Sequence, residues 1–169
     1  KERGYFLLSE HMDVLEDKTG LLTIDEVTSS EKHRFRKSDR ASSNFGLTKS
    51  TLWLRLDLSV VEHDFERDIN SDWYLEIDQA LLSIAELYIP LSGGGYEVKF
   101  ADVRLPFGER EVEHVNSVFL VAPYAIQYQT LYIKVKNSMS TLNLSVILSK
   151  SEAFIEKVST EEFLYGIFY

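Results

Sequence analysis

The sequence predicts an all-β fold, a jelly-roll β-sandwich of about eight strands with one or two short helices, on three observations. Short segments alternate apolar and polar residues with period two, turn-forming residues separate them, and helical spacing is scarce. Tyr5 to Leu8 opens the series, and "STLWLRLDLSV", Ser50 to Val60, is its clearest member, with Leu52, Leu54, Leu56, Leu58 and Val60 on one face. Trp73, Leu75 and Ile77 oppose Tyr74, Glu76 and Asp78 in the next strand. Ile84 to Pro90 and Tyr96 to Phe100 follow, joined through "LSGGG", whose glycines tolerate the positive φ of a turn. Val118 to Val121, Leu131 to Lys136 and Leu142 to Leu148 complete the set.

Two stretches carry helix signals. "TIDEV" offers Thr23 as N-cap and Glu26 three residues later, a capping box for one short helix. "STEEFLYGIFY" offers Ser159 and Glu162 in the same relation, and Glu161 and Glu162 suit the positive end of a helix dipole. Beyond Glu162 the residues are apolar on every side, which points to entry into a membrane rather than to a helix lying on a sandwich. Between Ser29 and Gly46 the chain is polar and locally basic without a period, and is expected to be a long surface loop.

The 169 residues, 44% hydrophobic, suit one core. The organisation expected is a sensory β-sandwich over 1–158 and a membrane-proximal segment over 159–169 leading to a first transmembrane helix. A first residue Lys1 and an apolar ending suggest a segment of a longer protein. The balance of 18 Lys and Arg against 27 Asp and Glu, net −9, argues against a nucleic-acid partner. With no cysteine, disulfides and thiolate metal sites are excluded.

Catalytic signatures are missing as well. His11, His33, His63 and His114 are isolated from one another, no GxSxG elbow occurs, and "SGGGYE" lacks the Lys and Ser or Thr of a phosphate-binding loop. These absences predict a domain that is not an enzyme and carries no obligatory cofactor. One cation possibility stays open: Asp13, Glu16 and Asp17 cluster before Gly20 and offer oxygen ligands to calcium.

The outward faces hold the candidate site. If the leucine faces point inward, Trp53 and Arg55, Tyr74 and Glu76, and Tyr132 and Lys134 point outward, and they share one surface if their strands are neighbours. Such a surface could stack on a sugar ring and bond its hydroxyls or a carboxylate. Alternatively Arg55 pairs with Glu76 and Trp53 lies under the long loop, and the face is scaffold.

Five stretches in order, "HMDVLEDKTGLLTIDEV", "GLTKSTLWLRLDL", "ALLSIAELYIP", "RLPFGER" and "TLYIKVKNS", resemble the type 2 extracellular domain of bacterial seven-transmembrane receptors with diverse intracellular signalling modules. The closing "EEFLYGIFY" resembles the lead into the first membrane helix of those receptors. The resemblance implies a jelly roll similar to carbohydrate-binding modules, on the periplasmic side of the inner membrane, coupled to a histidine kinase or a cyclic-di-GMP enzyme. It places family positions on Trp53 and Arg55 of the "WLR" piece, on Tyr88 before the proline, and on Arg110 after "LPF". Where the family often has Arg this chain has Lys134, which lacks the planar two-point contact with a carboxylate. Two readings follow: a module sensing a carbohydrate or related small molecule, or a module for homodimerisation or contact with a partner sensor.

Overall fold

A computed structural model of the chain describes residues 4–38, 43–61, 71–80, 82–101, 105–123, 130–137 and 141–167. His63, residues 39–42 of the basic stretch and the last two residues of the closing apolar run lie outside the described residues. In chain order the strands are β1 (Tyr5–Leu7), β2 (Met12–Asp17), β3 (Arg36–Lys37), β4 (Ser43–Gly46), β5 (Thr51–Asp57), β6 (Trp73–Ala80), β7 (Ile84–Pro90), β8 (Tyr96–Phe100), β9 (Asn116–Val121), β10 (Thr130–Lys136), β11 (Leu142–Leu144) and β12 (Val146–Lys150). Among the described residues two α-helices accompany them, α1 (Ile24–Thr28) and α2 (Ser151–Ile167).

The strands form a sandwich. One sheet has four strands in the order β1-β12-β6-β9, the other six in the order β3-β2-β5-β10-β7-β8, and β11 pairs separately with β4. All pairings among them are antiparallel. From β5 onward the chain crosses repeatedly between the two large sheets, which is the connectivity of a jelly roll. The inward residues interlock: Leu52, Leu54 and Leu56, Leu131, Ile133 and Val135, and Ala85, Leu87 and Ile89 from one sheet meet Trp73, Leu75 and Ile77, Phe119 and Val121, and Val146 and Leu148 from the other. The inward residues of the period-two pattern supply most of this core.

The sheet edge at β8 is protected by its own charges. Glu97 and Lys99 stand opposite the core residues Ile89 and Leu87, so they point inward, and Lys99 Nζ donates to Leu120 O across the sandwich at 2.7 Å. The turn before β8 works as the glycines require, with Gly94 at φ 89 and Gly95 at φ 79.

Several sequence expectations change. Among the described residues twelve strands form where about eight are expected, because β2, β3 and β4 show no clean alternation and Leu142 to Leu148 breaks into β11 and β12 at Ser145. The stretch expected to be a long loop contains β3 and β4, and β3 extends the six-stranded sheet. The second helix starts at Ser151, directly after β12, so Ser159 and Glu162 lie mid-helix rather than at a cap. Gly4 is needed where the chain start meets this helix, since a Cβ there would sit 2.7 Å from the Ala153 Cβ. Among the described residues no helix is long and apolar enough to cross a membrane.

Candidate functional site

The outer face of the six-stranded sheet is read row by row from its register. One row runs Asp13, Arg55, Tyr132, Tyr88, Val98, and the next runs Leu15, Trp53, Lys134, Glu86, Phe100. Tyr96 stands opposite Pro90 in a third. Five expected site residues, Trp53, Arg55, Tyr88, Tyr132 and Lys134, therefore share one surface.

Half of that surface is closed. The capping box predicted at Thr23 forms as expected: the Glu26 backbone N–H donates to Thr23 Oγ1, and the Thr23 N–H donates to the Glu26 carboxylate at 2.8 Å. It starts α1, which lays Val27 over Leu15 and Trp53, with Leu22, Ile24 and Phe35 around them. Trp53 is 0% exposed, so its indole is the centre of a second small core rather than an open stacking plate. Its Nε1–H finds no acceptor among the described residues. Arg55 pairs with Asp13, not with Glu76: Nε and Nη2 both donate to Asp13 Oδ2, at 3.0 and 2.6 Å, and its guanidinium lies 4.6 Å from the Phe35 ring centre.

The other half holds three partly buried tyrosines. Tyr96 meets Tyr88 and Tyr132 edge to face, each at 6.3 Å between centroids, while Tyr88 packs on Trp53 at 5.3 Å and Phe35 on Tyr132 at 6.3 Å. Tyr88 OH donates to Glu86 at 2.6 Å, and Lys134 Nζ lies 3.9 Å from the same carboxylate and 5.5 Å from the Trp53 ring centre. The phenol of Tyr88 is pushed well above the usual range by burial, then by its hydrogen bond to Glu86 and that carboxylate's charge. Tyr132 is raised by burial and by Tyr96 nearby, against a lowering pull from Arg55. At neutral pH the surface thus offers neutral phenol hydroxyls, rigid aromatic edges and one lysine–glutamate pair.

The remaining expected residues lie elsewhere. Tyr74 and Glu76 are on β6, in the opposite sheet, because the crossover after β5 changes sheets, and the shared surface expected for them does not form. There α2 covers them. Tyr74 stacks on Phe154 at 4.3 Å with planes 9° apart, and the Glu76 oxygens accept from Lys157 Nζ at 2.8 and 2.6 Å and from Asn116 Nδ2 at 2.7 Å. Glu76 is 0% exposed, so Lys157 compensates a fully desolvated carboxylate. Arg110 braces its own loop, donating to Leu105 O at 3.1 Å and His114 O at 2.7 Å.

Nor do the calcium candidates converge. Asp13 holds Arg55, Glu16 accepts from Ser50 Oγ at 2.7 Å, and Asp17 closes a turn by accepting from Thr19, Gly20 and Leu22. Burial pushes the Asp17 carboxyl up, but the hydrogen bonds from Thr19, Leu22 and Gly20 outweigh it and hold the carboxyl below its usual range. No group of three His, Cys, Asp or Glu that could hold a metal occurs among the described residues.

Sequence reasoning missed Tyr96 and Glu86. Folding the hairpin about the glycine turn was the available signal, because it sets Tyr96 opposite Pro90 and hence on the side of Glu86 and Tyr88.

Over residues 9–150, which take in every strand from β2 to β12, the chain matches the family model described as 7TMR-DISM extracellular 2. Comparison with curated proteins gives no match.

Proposed function

On the premise that this chain belongs to the 7TMR-DISM extracellular 2 family, the extracellular sensor domain of seven-transmembrane receptors, we propose that it senses a carbohydrate or related small molecule. The domain lies on the periplasmic side of its receptor's membrane and is a sensing domain rather than a catalytic one. The ligand docks on the outer face of the six-stranded sheet, against Tyr88, Tyr96 and Tyr132. One observation carries this reading: three mutually braced tyrosines stand beside the Glu86–Lys134 pair on the half of the face that α1 leaves uncovered. Aromatic edges suit the apolar faces of a sugar ring, and the carboxylate, ammonium and phenol groups suit its hydroxyls. Lys134 is already close to Glu86, which favours a neutral sugar over an acidic one.

A glycan array probed with the chain and its Tyr96→Ala variant tests the reading. Expected is retention of a limited glycan set by the chain and loss of that set by the variant, since removing an aromatic anchor costs about 1–3 kcal/mol of binding. Equal retention by both would refute the placement.

A second reading has its own support. Val98 and Phe100, 36% and 65% exposed, carry the same face to the β8 edge as an apolar margin, which suits a homodimer or a partner sensor. Concentration-dependent self-association lost in Phe100→Ser would favour it.

A further inference from the structure

A cleft of about 300 Å³ opens on the opposite side of the sandwich, between α2 and the chain leading into β9. That is the lower end of the range of about 300–1,000 Å³ typical of small-molecule sites. Tyr74, Leu120, Phe154 and Ile155 supply apolar walls, and Glu111 and Glu113 are exposed members of the lining. The floor is preset by the parallel stack of Tyr74 on Phe154 at 4.3 Å, and Ile155 stands at the lip 56% exposed.

The neighbouring lysines are committed: Lys99 Nζ bonds Glu111 at 2.8 Å and Leu120 O at 2.7 Å, and Lys157 holds Glu76. The His114 ring accepts from the Asn116 N–H at Nδ1 and faces Glu161 with Nε2 at 3.5 Å. Glu113 has no ion pair among the described residues. A ligand entering here therefore meets one uncommitted negative charge above an aromatic floor.

We propose that this cleft binds a small amine, its apolar body against Tyr74, Phe154 and Ile155 and its ammonium group on Glu113. An anion of the same shape is repelled by Glu113, the carboxylate left without a lysine partner once Glu111 is paired with Lys99. Because one wall is α2 and the other is the four-stranded sheet, an occupant touches both partners of the helix contact and stabilises the docked helix by mass action. The site is independent of whatever binds the tyrosine face.

Phenethylamine, phenethyl alcohol and hydrocinnamate form a matched set of cationic, neutral and anionic probes for NMR titration of the chain. Expected are saturable shifts at Tyr74, Leu120 and Ile155, with the amine binding tightest. Ile155→Trp, a change at an exposed position that fills the lip, weakens the amine about tenfold. Glu113→Gln lowers the amine to the affinity of the alcohol and leaves the alcohol unchanged. Shifts that do not saturate, shifts centred on Tyr88 and Tyr96, or hydrocinnamate binding as tightly as the amine would each overturn the proposal.

Discussion

The two outer faces of the sandwich start from the same sequence pattern and end in opposite states. On β5 and β10 the outward residues are Trp53, Arg55, Tyr132 and Lys134, and on β6 they are Tyr74 and Glu76. Each set mixes aromatic and charged side chains between buried apolar residues. Yet α2 lies over Tyr74 and Glu76, fixed by an aromatic stack and a buried ion pair, whereas α1 covers Trp53 and leaves the tyrosines partly exposed. Outward aromatics and charges therefore do not by themselves mark a binding face; what the rest of the chain lays over them decides.

Breaking each cover separates the faces. The largest effect is expected at Trp53, where truncation to Ala empties the centre of the small core and costs about 3–5 kcal/mol of folding stability. Chemical denaturation measures it, and a cost below about 1 kcal/mol would mean α1 is not held by this indole.

Next comes the opposite face. Lys157→Met strands the Glu76 carboxylate in a dry site and is expected to cost about 3 kcal/mol, the low end for a broken buried pair because Lys157 is a third exposed. Replacing both residues by Met should recover most of that loss, so a double-mutant cycle reads the coupling. Additive losses would show that the pair does not hold the helix.

Arg55→Ala should cost only about 1 kcal/mol, since its pair with Asp13 is partly exposed and its cation–π contact with Phe35 is modest. A loss as large as that of Trp53→Ala would make Arg55, not the indole, the organiser of the face.

The smallest signal is in alkali. Tyr88 and Tyr132 have folded pKa values above the ordinary 10.0, so the folded state keeps their protons where the unfolded chain releases them. Their contribution to stability is full below pH 10.0 and falls as pH rises above it. Tyr88→Phe should flatten that alkaline limb in pH-dependent denaturation, and an unchanged limb would place the shifted phenol elsewhere.

Local chemistry was legible in the sequence and neighbourhood was not. The Thr23 and Glu26 capping box involves residues three apart, and the parity of Leu52, Leu54, Leu56 and Leu58 sets the buried face directly. Strand β2 escaped notice because it is apolar on both sides: Met12 enters the main core and Leu15 the small one, so no alternation shows. The grouping of Tyr74 and Glu76 with Trp53 failed because strand order is set by crossovers, which leave no mark in the alternation of any one strand. At the second helix, Ser159 and Glu162 carry a cap spacing inside a helix that had begun at Ser151 without a turn after β12.

Whether the tyrosine face is the sensing surface is tested most directly by a chemical-shift map of the chain titrated with a glycan retained on the array. Saturable shifts on the rings of Tyr88, Tyr96 and Tyr132 and on Lys134, with Tyr74 and Trp73 unmoved, are the expected result. Shifts concentrated on Tyr74, Phe154 and α2, with the three tyrosines silent, would contradict it and make the helix-covered side the sensing surface.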